Sequence, residues 1–128
     1  MRYLILVSLL ASVAMFSLGN IAIAESGDDE VAIEDMTIAD IMKAAHKKPK
    51  HLLKKVATGA AKPAEQEELL QLYKALTKLE PSKGDAASWK AKTTLLVEAA
   101  EAALSKAEDA DRQLTRAANC MACHQLHK

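Results

Sequence analysis

Hydrophobic positions recur along this chain every three to four residues, the mark of helices that bury one face. Ile38, Ile41, Met42 and Ala45 fall at i, i+3, i+4 and i+7, and Leu52, Leu53 and Val56 continue the stripe. Thr37, with Asp40 three residues on, opens this first helix in the manner of a capping box. Pro49 is expected to kink it, and Gly59 is suited to close it. A second helix opens on Pro63, with Glu65, Glu67 and Glu68 in its first turns, choices that suit a helix N-terminus. Its apolar face is Leu69, Leu72, Tyr73, Leu76 and Leu79, and Pro81 and Gly84 end it.

Asp85 can cap a third helix with the stripe Trp89, Leu96, Ala100 and Ala103, flanked by Leu95 and Ala99. Ser105-Lys106-Ala107-Glu108 reads as another capping box, opening a fourth helix that carries Leu114, Ala117, Ala118 and Met121. No strand pattern, Gly-rich phosphate loop or internal repeat interrupts the sequence. The expected fold class is all-α: an up-down-up-down four-helix bundle over residues 37–128, with the chemistry-bearing helix at the C-terminus.

Residues 1–24 do not belong to that bundle. Arg2 precedes an apolar run from Tyr3 to about Leu18, and Ala22-Ile23-Ala24 forms a small-x-small cleavage site before Glu25. This pattern predicts a secretory signal peptide, hence export to the periplasm and no membrane span once it is cleaved. An uncleaved anchor is the rival, since the run is near the lower limit for crossing a bilayer. Glu25–Met36 is acidic and rich in small residues, and is expected to be a loose leader.

Composition narrows the classes. With 17 Lys and Arg against 17 Asp and Glu, the chain has no basic excess that would favour nucleic acid. Half of its residues are hydrophobic, too many for a disordered chain. After cleavage the only aromatics are Tyr73 and Trp89, and alanine is abundant. Such a core is expected to be thin unless a ligand fills part of it.

The chemistry is concentrated near the C-terminus. Cys120-Met121-Ala122-Cys123-His124 is C-x-x-C-H, the attachment motif for c-type haem. Its two thiols can form thioethers with the two haem vinyl groups, and the His that follows can reach the iron from the proximal side. On a helix, Cys120 and His124 share a face. The same residues could instead form a disulfide or a redox dithiol. They could also give two ligands of a zinc site completed by His124 and His127. Zinc would need a tighter spacing than usual, and a thioredoxin-like dithiol a βαβ setting that the pattern lacks.

A signal peptide, four helices and a C-terminal C-x-x-C-H together resemble class II cytochromes c, the cytochrome c-prime group. The resemblance covers residues 37–128 and is carried by Gly84-Asp85-Ala86-Ala87-Ser88-Trp89-Lys90 and by Ala117-Ala118-Asn119 leading into the motif. It implies one covalent haem c per chain, attached at Cys120 and Cys123, with His124 as the proximal iron ligand. Members often carry an aromatic residue three places after the haem His and then a basic one; here His127 and Lys128 stand there. Many also have an Arg one turn before the distal position, where this chain has Ile38.

The distal position of the family falls on Met42. In an antiparallel bundle Met42 and His124 are also roughly 6–8 Å from the same end. Met42 is therefore the candidate sixth ligand, the alternative being a packed Met over an open iron. His46, one turn deeper, is a second candidate. Met36 reads as leader, Met121 as core, and His51 and His127 as solvent-facing. The lysines 47, 48, 50, 54 and 55 read as a solvated face, or else as a docking patch for an acidic redox partner.

The expected function is electron transfer with a periplasmic redox protein as partner; a homodimer is compatible with the chain. Binding or sensing of nitric oxide or carbon monoxide at an open distal site is the alternative, and a haem-free helical interaction module a third. No paired carboxylates or nucleophile–base constellation surrounds the motif, so an enzyme is not expected.

Overall fold

The computed structural model describes residues 31–128. The expected signal peptide and most of the acidic leader lie outside the described residues. Within them the chain is all-helical, with a short 3-10 turn at Ile33–Asp35 followed by α1 (Ile38–His46), α2 (Leu52–Ala57), α3 (Pro63–Leu76), α4 (Ala86–Leu104), α5 (Ala110–Ala117) and α6 (Cys120–His127).

Local chemistry sets most of the helix starts. Thr37 Oγ1 accepts the Asp40 backbone N–H at 3.2 Å, and the Asp40 carboxylate accepts the Thr37 N–H at 3.1 Å. That reciprocal box satisfies two donors the first turn would otherwise leave open. Pro63 stands at the first position of α3, where a missing N–H costs nothing. At α4 the Asp85 carboxylate accepts the Ser88 N–H at 2.8 Å. Gly59 follows α2 at φ +72°, a left-handed value that favours glycine.

Two breaks differ from expectation. Pro49 does not merely kink the first helix. Residues 47–51 leave it altogether, and α2 restarts after His51, which adopts a left-handed conformation. Proline lacks an N–H for the helical ladder and disfavours helical geometry at the residue before it, so the break begins upstream of the ring. The second break falls inside the expected fourth helix, at Ala118-Asn119. There the Asn119 side chain accepts the Ala122 N–H at 3.2 Å and opens α6 afresh.

Ser105 also takes a different part. It closes α4 rather than opening α5, its hydroxyl donating to the Ala102 carbonyl at 3.2 Å. The residue before α5 is Asp109, at φ +60°. The end of the leader is not loose either: the turn at Ile33–Asp35 packs on α3, and Ile33 and Met36 are half-buried against the core.

The core gathers Ile41 and Ala45 of α1, Leu52 and Val56 of α2, Leu69, Leu70, Leu72, Tyr73 and Leu76 of α3, Trp89, Leu96, Ala99 and Ala100 of α4, and Leu114 of α5. The most extensive packing joins α3 to α4 and α4 to α5, while α1 and α2 lie against α3. Met121, expected in the core, is instead 61% exposed. The break at Asn119 resets the rotation of the last helix, so the stripe running through Leu114 does not continue to Met121.

Leu114 is fully buried. Leu114→Ala is expected to cost roughly 2–5 kcal/mol through lost transfer energy and a residual cavity. Leu95→Ala, on the exposed side of α4, should stay within about 0.5 kcal/mol. Urea unfolding midpoints of the two variants check the contrast.

Candidate functional site

Helix α6 carries the pentapeptide in its first turn and a half. At 3.6 residues per turn, Cys120, Cys123, His124 and His127 fall within roughly 100° of arc. Cys123 and His124 bound that arc, with His127 and Cys120 near its middle; His127 is buried, Cys123 is half-buried, and Cys120 and His124 are exposed. Both thiols are free. Burial raises the pKa of the Cys123 thiol, an effect that the positive charge of Lys92 opposes. The remaining arc carries exposed Met121, Gln125 and Leu126.

Two polar groups, on α1 and α3, lie within electrostatic reach of the motif. His46, the last residue of α1, is half-buried, and its Nε2 is 3.0 Å from the Tyr73 hydroxyl. Their rings are 6.0 Å apart and tilted by 54°. Burial lowers the His46 pKa, and the charge of His124 lowers it further. Burial raises the Tyr73 phenol, and the charge of Cys120 adds to the rise. Groups that alter each other's titration in this way share a neighbourhood. His46 and Tyr73 thus lie within electrostatic reach of His124 and Cys120 respectively.

Met42 is half-buried one turn before His46 on the same side of α1, and it packs against the hydrophobic cluster. The lysine-rich segment beside it is partly neutralised. Lys50 pairs with Glu68 at 2.7 Å, and Lys55 pairs with Glu65. Lys47, Lys48 and Lys54 are exposed.

His127 departs most from expectation. It is 6% exposed rather than solvent-facing. Its Nδ1 is 3.2 Å from the Lys83 carbonyl, and its Nε2 is 3.1 Å from the Ser88 hydroxyl. The Trp89 ring packs against it in a T-shaped arrangement, with centroids 5.4 Å apart and planes at 71°. Both nitrogens are thus committed, which takes away one ligand of the zinc alternative. Among the described residues no three His, Cys, Asp or Glu side chains group as a metal site.

The donor set fits a covalently held porphyrin. Two unpaired thiols and an imidazole lie on one helical arc, and the imidazole makes no hydrogen bond with another described residue. Tyr73 and His127 are the site residues whose roles the pattern conceals. A tyrosine on a leucine stripe reads as core, and its one signal is that a buried hydroxyl requires a partner. His127 has no local signal, because its partners are some forty residues earlier.

Compared with protein-family models, with curated proteins and with solved structures, the chain matches none of them.

Tyr73→Phe is expected to cost about 1–3 kcal/mol by leaving Nε2 of the half-buried His46 without a partner. The acid limb of stability should carry a His46 contribution of definite sign. Its pKa is lowered on folding, so below about pH 6.5 the unfolded chain binds more protons. Stability then falls as the pH drops through the folded-state pKa and levels below it. His46→Gln should flatten that part of the fall, as measured by urea midpoints at pH 7.5 and pH 5.

Proposed function

We propose that this chain is an exported mono-haem c-type cytochrome of the class II kind, and that it transfers electrons through one covalent haem c. The observation that carries the reading is the C-x-x-C-H pentapeptide at the start of α6, its thiols free and its His on the same arc. In this reading α1 with α2, then α3, then α4, then α5 with α6 form the four arms of an up-down-up-down bundle. The signal peptide at 1–24 delivers the chain to the periplasm, where its partner is a redox protein.

Cys120 and Cys123 would each add a thiol across a vinyl group, with a carbon–sulfur bond formed and the thiol hydrogen passed to the neighbouring vinyl carbon. His124 would be the proximal ligand. When bound, haem supplies a one-electron ferric–ferrous couple. The protein's part is to hold that couple away from water and to fix the axial ligands. Ile41, Ala45 and Tyr73, all fully buried, form part of an interior of low polarity. Tyr73 engages Nε2 of His46. His46 is in this way restrained, and Met42, one turn away with a soft thioether, is the favoured sixth ligand. Histidine–methionine ligation raises the reduction potential, as suits a carrier that accepts electrons.

Intact mass of protein exported with haem-maturation machinery is expected to equal residues 25–128 plus one haem. A bare-chain mass would sink the reading. The ferric parent should be low-spin and show the weak red band of methionine ligation. Met42→Ala should make it high-spin and speed carbon monoxide binding at least tenfold, because no internal ligand has to leave. A parent already high-spin, with Met42→Ala spectrally silent, would make gas binding at an open iron the better reading. A change in spin state with His46→Ala alone would indicate bis-histidine ligation.

A further inference from the structure

Helix α6 must be held by something other than a broad apolar face. It is eight residues long, touches α4 only lightly, and leaves Met121 and Leu126 more than half exposed. Its one buried side chain is His127. That imidazole enters a socket built from the α3–α4 connection and the first turn of α4. Lys83 contributes a carbonyl, which can only accept, so Nδ1 of the neutral ring carries the hydrogen. Nε2 is then left to accept from the Ser88 hydroxyl.

The socket is itself fixed. Asp85 caps the Ser88 backbone, and the Trp89 indole N–H donates to the Leu79 carbonyl at 2.7 Å. Gly84 completes it by having no side chain. A Cβ there would lie 2.4 Å from His127 Nδ1 and 2.5 Å from the Leu126 carbonyl oxygen. Its φ of +93° is likewise one that L-residues rarely adopt.

We propose that His127 is the positioning residue for His124: seated in the Lys83–Gly84–Ser88–Trp89 socket, it fixes the rotation and height of α6 and so the direction of the iron-binding imidazole. The two histidines are three residues apart on one short helix, so displacing one turns the other. This assignment rests on the haem reading for what His124 binds. The fastening of α6 is a property of the fold alone.

The test uses the full exported chain, with and without haem-maturation machinery. Hydrogen exchange of α6 amides and the low-temperature electron paramagnetic resonance spectrum of the ferric iron are compared in His127→Ala, His127→Asn, Ser88→Ala and Gly84→Ala. His127→Ala should keep the covalent haem, since both cysteines are intact, and should raise α6 exchange at least tenfold while α3 and α4 stay protected. Its ferric signal should broaden or split as His124 samples several orientations. His127→Asn, which retains a donor for the Lys83 carbonyl, should restore part of the protection and a narrower signal. Ser88→Ala should act in the same direction as His127→Ala but more weakly. Gly84→Ala should reproduce His127→Ala with the imidazole still present, because the new methyl group evicts it. Exchange and resonance unchanged from the parent in both His127→Ala and Gly84→Ala would overturn the proposal. Faster exchange with an unchanged ferric signal would overturn it too, leaving His127 a structural fastener only. A parent chain of bare mass sinks the haem reading instead, and the exchange measurement then reports on the socket separately.

Discussion

The packing of α3 against α4 is the constraint on which the rest depends, because each helix carries one of the two aromatic residues left after residue 24. Both aromatics are amphipathic, with a large apolar body and one polar atom that must find a partner when buried. Tyr73 gives its hydroxyl to His46 at the end of α1. Trp89 gives its N–H to the Leu79 carbonyl and packs its ring at a steep angle against His127 near the chain end. The same helix pair therefore holds a histidine of the first helix and a histidine of the last. A chain poor in aromatics uses each of them both to fill space and to fix a polar group from a distant segment.

The starts of α1, α3 and α4 are legible in the sequence because their caps are local. Thr37 with Asp40, Pro63, and Asp85 with Ser88 act within one turn, so the residues that specify each start lie beside it. The breaks are harder. Pro49 announces an interruption, but whether a helix resumes in line depends on what α2 packs against. Ala117-Ala118-Asn119 contains two strong helix formers and no Gly or Pro. Only the Asn119 cap ends the run, and asparagine inside a helical pattern is a weak signal. Missing that break misplaces Met121, since a change in rotation moves every later residue to another face. Ser105 misleads for a related reason: the same hydroxyl serves the end of a helix as readily as the start.

The candidate site divides along the same line. Cys120, Cys123 and His124 are explicit in five consecutive residues, and their shared face follows from helical geometry. The electrostatic influence of His124 on His46 and of Cys120 on Tyr73 joins positions far apart in sequence. The burial of His127 depends on a glycine and a carbonyl more than forty residues away, and no periodicity encodes either. Met42 is an intermediate case. Its stripe and half-burial are legible, while its direction towards a ligand is not a property of α1 alone.

The histidines show how one residue type is sorted by its surroundings. His46 is desolvated and bound to a phenol, which favours its neutral form. His127 is enclosed between a carbonyl, a hydroxyl and an indole, so its two nitrogens are spent on the fold. His51 sits before α2 in a left-handed turn where its backbone is what matters. His124 alone combines exposure, freedom from hydrogen bonds with other described residues, and a place directly after a thiol. An imidazole can bind a metal only if one nitrogen keeps its lone pair unengaged. By that criterion the fold closes His127, both of whose nitrogens are engaged, and occupies Nε2 of His46, so that selection among the histidines comes as much from occupying some nitrogens as from leaving others free.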